Sequence, residues 1–367
     1  MKTEISPLRI VVKALCLFVV VNIIYALLDP SVTGISAYTT IFPGRVRLPF
    51  GDREDPYAVM VDDVDVMFGS HVISMPKMSN EFRVVLLGDS SIWGENLTPQ
   101  ESLSEQWNRS NIQCADRTIR VYNLGYPHPS VIKDLIILDK TLGYDPDLIV
   151  WFIALNTLIP RRLSPFLAAN RERALRVLDT HNIPFRHEEA LLENEPTFYK
   201  ETLIGERSDL ARLIKLQALG TIWTATEADM SAPSDSVNAI SPNVEDDLRY
   251  RGMEPRPDLK VRMLFNALAA GHDIANSIPI LIINEPMFIA SGLNSTVRYN
   301  DGYPRWAYDQ YREAVAVEAQ SADWNYLDLW NAIPPQYFPH SPLHLSAEGE
   351  RLLVEQVNPT LKAIACR

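Results

Sequence analysis

Cysteine is scarce in this chain, and its placement rules out several kinds of site. Only Cys16, Cys114 and Cys366 occur, with no Cys-x-x-Cys pair. Neither a zinc ribbon nor a dithiol redox motif is therefore supported. Cys16 lies in an apolar segment, and Cys114 and Cys366 can pair only if the fold brings them together. Basic residues are also in deficit, 34 against 46 acidic ones, for a net charge of -12. That balance argues against a nucleic-acid partner, which would want a basic face. No internal repeat or low-complexity tract is visible. No metal motif is present, and the acidic run "DDVDV" at 62–66 lacks calcium-ligand spacing and reads as a solvated face. No Gly-x-Ser-x-Gly elbow occurs, which argues against the α/β-hydrolase family. No cofactor is called for.

What is present suffices for a globular body: 367 residues, 47% hydrophobic and 22% charged. One long apolar run stands at the N-terminus. Lys2, Arg9 and Lys13 precede "ALCLFVVVNIIYALL", residues 14–28, which ends at Asp29-Pro30. Counted from Ile10 to Leu28 the run is 19 residues, with Lys13 able to snorkel toward headgroups. No small-x-small cleavage site follows it directly. The reading is an uncleaved single-pass anchor with its basic end in the cytoplasm, and the alternative is a cleaved signal peptide. Either way the bulk of the chain is expected outside the cytoplasm. Residues 29–80 read as an irregular juxtamembrane connector rich in Pro, Gly and Asp.

From residue 81 onward, short apolar runs alternate with helical stretches. Five buried strands are expected: "RVVLLGD" (83–89), "TIRVYNLG" (118–125), "DLIVWFIAL" (147–155), "IPILIIN" (278–284) and "NYLDLW" (325–330). Such alternation predicts a parallel sheet covered on both faces. Residues 158–277 read as a long helical insertion, a lid or a structural layer, with a flexible loop at 227–247.

In an open parallel sheet, sites form at the C-terminal strand ends. Those ends carry Gly88-Asp89-Ser90, then Gly125 and His128, then Asn156, then Asn284 and Glu285, and finally His344 just before a helix. Each has a bland explanation. Ser90 can cap a helix, Gly125 can end a strand, Asn156 can form a turn, and His344 can line the last helix. That all four stand at one predicted sheet edge favours catalysis. His128 and His340 read as surface residues or neighbours of the site, and Glu285 as a pocket wall.

In this order the residues resemble the SGNH, or GDSL-type, hydrolase superfamily over roughly 82–360. Gly88-Asp89-Ser90 matches its first block, Gly125 its second, Asn156 its third, and His344 with Gly349 its fifth. The resemblance implies a three-layer α/β/α fold with a five-stranded parallel sheet, flavodoxin-like in order. It implies Ser90 as nucleophile and His344 as base. It also implies an oxyanion hole made by the Ser90 and Gly125 N–H groups and the Asn156 side chain. Its activity would be ester cleavage or O-acyl transfer through an acyl-serine, on ester or acylated glycan substrates. Two departures stand out. The third block reads Ala154-Leu155-Asn156-Thr157, where the family usually has Gly-x-Asn-Asp. Ser341 occupies the position of the triad aspartate, with His340 before it. The expected orienting partners for His344 are Ser341, or Asp328 or Glu285 reaching in from elsewhere. The rival expectation is a non-catalytic envelope or assembly protein that keeps the fold after losing the acid.

Overall fold

The computed structural model describes residues 6–28, 36–51, 61–114, 116–160, 164–185, 191, 197–226, 228, 239–255 and 259–366. The central sheet has strands β1 Glu81–Leu87, β2 Gln113–Cys114, β3 Arg117–Asn123, β4 Leu148–Ile153, β5 Ile280–Asn284 and β8 Asn325–Asp328. A separate two-stranded hairpin pairs β6 Arg298–Asn300 with β7 Tyr303–Pro304. The sheet order is β2-β3-β1-β4-β5-β8. The last five are parallel, and counted along the chain they run 2-1-3-4-5. That is the doubly wound flavodoxin-like order, whose switch point falls between β1 and β4. The five expected strands are all there, and the sheet gains a sixth, β2, which pairs antiparallel with β3 at the edge.

Strand alternation builds two cores. Val85, Leu87, Ile149, Trp151, Ile153, Ile280 and Ile282 point into one, Val84, Leu86, Leu148, Val150, Phe152, Leu281 and Ile283 into the other. The residues are apolar on both faces because helices cover both. The helices, in chain order, are α1 Pro7–Leu28, α2 Val64–Ser70, α3 Ser90–Trp93, α4 Leu103–Arg109, α5 Val131–Thr141, α6 Leu155–Leu158, α7 Pro165–Ala169, α8 Arg171–Thr180, α9 Arg207–Lys215, α10 Thr221–Thr226, α11 Phe265–Ala275, α12 Arg305–Ser321 and α13 Ala347–Ala365. Residues from α5, α11 and α12 enter the first core, residues from α4 and α13 the second. The fold is thus three-layered, α/β/α.

Two expectations need correction. Part of the connector belongs to the body. Val64, Met67 and Phe68 of α2 are fully buried, because Asp63 caps the helix through Asp65 N and Val66 N and turns its apolar face inward. The acidic run is therefore a helix start, not a bare solvated face. Second, α11 lies within the span read as insertion, yet it fills the first core as the regular crossover from β4 to β5. The loop expected at 227–247 falls largely outside the described residues. Its end is tied down: Ile240 N–H donates to Pro339 O (3.2 Å) and Val244 N–H to Leu293 O (3.1 Å).

Helix α1 is 22 residues long, with a mean hydropathy of 2.6 over its most apolar window, enough by length and composition to cross a membrane. Cys114 and Cys366 form a disulfide, joining edge strand β2 to the end of α13 across 252 residues of sequence.

Candidate active site

The nucleophile turn follows from β1. Asp89, not Ser90, caps α3, its carboxylate accepting the Ser91 N–H at 3.0 Å. The Ser90 hydroxyl is thereby left for another partner, and it lies 2.9 Å from Nε2 of His344. As the first residue of α3, Ser90 has no intrahelical acceptor for its N–H.

Beneath this turn the polar groups are closely paired. Lys133 is 1% exposed, and its ammonium donates to Gly88 O (2.7 Å) and Tyr126 O (2.8 Å). It also stands 2.8 Å from Asp134 Oδ1, a charge contact without hydrogen-bond alignment. Asp134 accepts from Trp151 Nε1 through its other oxygen (3.0 Å), and burial pushes its carboxyl above the usual range. One buried cation therefore ties the strand end before Ser90 to the strand end after Gly125. On the other side, Ser91 Oγ is 3.1 Å from Asp89 Oδ1 and 2.5 Å from Glu285 Oε2. A hydroxyl has one hydrogen, so it donates to one carboxyl and accepts from the other. Burial, and then the charge of Asp89, hold the Glu285 carboxyl well above its ordinary value, which favours the form in which Glu285 keeps its proton and donates to Ser91.

Gly125 stands where α3 comes close. A Cβ there would sit 2.7 Å from Trp93 N and 2.9 Å from the Ile92 carbonyl carbon. Its N–H already donates to Asn123 Oδ1 at 3.0 Å, so an oxyanion would have to share or displace that bond. Asn156 is the second residue of α6, and its Oδ1 accepts from the Tyr250 hydroxyl at 2.7 Å. That contact turns its amide hydrogens away from Tyr250. Thr157, in the place of the family's aspartate, bonds locally and accepts the Ala154 N–H at 3.2 Å.

The histidine side is different. His344 Nδ1 is buried and has no hydrogen-bond partner. None of the three expected orienting residues bonds it, and each has a reason. Ser341 Oγ turns back onto its own loop and accepts the Leu343 N–H at 3.4 Å. Asp328 is held by Asn284 (2.8 Å) and Arg312 (2.7 Å), and Glu285 by Ser91. Glu95 does come near, 3.6 Å from His344, but at Nε2, the nitrogen that faces Ser90. The His340 ring lies 5.7 Å from that of His344 and bonds Asn96. His128 packs edge-on against Phe50 and lines a cavity of about 650 Å³ with Lys133, Phe166, Phe185 and Arg251. Neither Ser90 nor His344 lines that cavity.

Sequence reasoning missed Lys133, Tyr250, Glu95 and Glu350. Glu350 is 2% exposed, its Oε2 has no partner, and burial pushes its carboxyl up to about 8. Only Glu350 had a local signal, a carboxylate on the inward face of the last helix. Part of the connector also reaches the site: Phe50 packs on Trp93 and Tyr126, and Arg47 stacks over Trp93 and bonds Gly94 O.

No family model matches the chain, and neither does any curated protein. Among solved structures it is similar to a carbohydrate acetylesterase family member from Sinorhizobium meliloti (13% identity, 77% of this chain and 99% of that one, TM-score 0.35). It is also similar to a GDSL-like lipase from Bacteroides thetaiotaomicron VPI-5482 (9%, 79% and 92%, 0.36) and to the M. smegmatis aryl esterase (11%, 77% and 99%, 0.34). At these identities and scores the likeness carries no functional inference, and function has to be argued from the site.

Proposed function

We propose that this chain is a membrane-anchored, extracytoplasmic serine esterase or O-acyl transferase working through an acyl-serine. The observation that carries the reading is the 2.9 Å contact of Ser90 Oγ with His344 Nε2 at the C-terminal sheet edge. A serine hydroxyl is a poor nucleophile until a base takes its proton, and a neutral imidazole suits that task. Ser90 Oγ attacks the ester carbonyl carbon as its proton passes to Nε2. The oxyanion draws on the Ser90 N–H, the Asn156 amide and, after exchange with Asn123, the Gly125 N–H. Collapse expels the alcohol, which takes the proton from His344. Water or a sugar hydroxyl then attacks the acyl-serine by the reverse sequence. The SGNH-like motifs point to envelope glycan or lipid esters as substrates.

Placement outside the cytoplasm is supported by three features: the apolar α1, the basic residues Lys2, Arg9 and Lys13 before its apolar run, and the Cys114–Cys366 disulfide. Disulfides persist in oxidising compartments. A second reading, a non-catalytic envelope or assembly protein, is favoured by the unpartnered His344 Nδ1. The test is labelling by a fluorophosphonate probe. The wild type should label and hydrolyse a short-chain ester, and Ser90→Ala should do neither. Removing such a nucleophile costs on the order of 10⁶ in rate in a well-studied protease. A folded wild type that never labels would favour the non-catalytic reading.

A further inference from the structure

Residues 207–226 form one continuous helical stretch: α9, a wider π-type turn at Leu216–Gly220, and α10. Its apolar residues are on both sides. Facing the body are Leu216, fully buried in the first core, and Thr221 and Thr224, 1% and 6% exposed, whose hydroxyls bond back to Gln217 O and Gly220 O. Facing outward are Ile214, Leu219 and Ile222, 65%, 45% and 52% exposed. A surface helix of a soluble protein normally keeps its outward face polar. A contiguous outward apolar stripe marks a site of contact.

The same segment is joined to the end of α1. Asn22 Oδ1 accepts the Ile204 N–H (3.1 Å), and the Tyr25 hydroxyl donates to Glu206 (2.7 Å). Past Arg9 and Lys13, the rest of α1 is apolar and mostly exposed, as a spanning helix would be. If α1 crosses a bilayer, residues 204–206 sit at its outer boundary, and the helix that follows starts there. The neighbouring turn is fixed to it, through Ala37 N–H to Gln217 and Tyr38 hydroxyl to Leu216 O, and displays Ile41, 75% exposed. Over 206–226 there are three cations, Arg207, Arg212 and Lys215, against two carboxylates, Glu206 and Asp209, in a chain of net charge -12. That local excess suits anionic headgroups.

We propose that the segment 207–226 lies on the bilayer that α1 spans, with Ile214, Leu219 and Ile222 in the boundary between headgroups and acyl chains, so that the catalytic body is seated on the membrane and not tethered free of it. This inference rests on the reading of α1 as an anchor. The test uses the full chain with Cys16→Ser, carrying a single environment-sensitive fluorophore at Leu219→Cys, Ile222→Cys, Phe18→Cys or Val317→Cys. It is reconstituted in phosphatidylcholine–phosphatidylglycerol vesicles containing lipids with a shallow or a deep nitroxide. Probes at 219 and 222 should shift to the blue and be quenched by the shallow nitroxide, at a depth of about 5–10 Å. The probe at 18 should be quenched by the deep one, and the probe at 317, on the exposed face of α12, by neither. Quenching at 18 with water-exposed probes at 219 and 222 overturns the seating and leaves the anchor intact. Loss of quenching at 18 as well overturns both. Shielding at 219 and 222 that nitroxide lipids do not quench means protein covers the stripe, a second copy or the chain itself, and overturns the proposal too.

Discussion

The two halves of the proposed catalytic pair are built differently. Around Ser90 most buried polar groups are joined into networks: Lys133 holds two strand-end carbonyls, Asp89 caps α3, and Glu285 bonds Ser91. At His344 the buried Nδ1 has no hydrogen-bond partner among the described residues. Ser90, the proposed nucleophile, therefore sits on a bonded turn, whereas His344, the proposed base, is bonded to Ser90 through Nε2 and has no partner at Nδ1. In a serine hydrolase the orienting acid fixes the tautomer and stabilises the imidazolium, and its replacement by an amide has cost about 10⁴ in kcat. The site thus bonds Ser90 to His344, but no described residue bonds Nδ1 to sustain the charge transfer.

The largest expected effect lies on the serine side. Lys133→Met would leave Asp134 buried without its cation and release both carbonyls. It should destabilise the protein by about 3–5 kcal/mol in urea unfolding. Lys133→Met with Asp134→Asn should recover part of that loss. A single substitution with unchanged stability would mean the clamp is not what holds the nucleophile turn.

The next effect is read as pH dependence. The Glu350 carboxyl is raised to about 8 and that of Glu285 well above its ordinary value, so the native state keeps protons that the unfolded chain releases. Their contribution to stability is full below pH 4.5, the ordinary value for both, and Glu350's is lost as pH rises to about 8. Each group gives a slope of about 1.4 kcal/mol per pH unit within its window. Glu350→Gln should remove one such slope, and unfolding curves at several pH values would show it. A slope unaltered by Glu350→Gln would place the proton elsewhere.

Ser341→Asp sharpens the comparison from the opposite direction, by supplying an acid three residues before His344. It should raise kcat about tenfold with little change in KM, since the gain lies in the transition state. No gain would show that Nδ1 is not reached from that position. The smallest effect should come from Glu285→Gln, whose amide can still donate to Ser91. A change within about 1 kcal/mol is expected, against about 1–3 kcal/mol for Glu285→Ala, which leaves Ser91 unpaired. Equal losses for both would show that Glu285 supports the turn as a carboxylate and not as a donor.

The sequence by itself determined the layered architecture and brought Ser90 and His344 forward as the proposed pair. Continuous apolar runs such as Val84–Leu87 and Leu148–Ile153 are a local signal, because a strand buried on both faces needs no polar residue anywhere along it. Ser90 and His344 stood out because strand ends are where such a sheet exposes polar groups. Only the tertiary structure decided the rest. Lys133 sits in an amphipathic helix as any surface lysine might, and its burial depends on carbonyls 7 and 45 residues away. Tyr250 reaches Asn156 across 94 residues, and the disulfide closes across 252. Whether Ser341, Asp328 or Glu285 could serve His344 was likewise settled by which partner each met first. Periodicity and propensity are properties of neighbours in sequence, while the cost of burying a charge, and the choice of its partner, are set by neighbours in space.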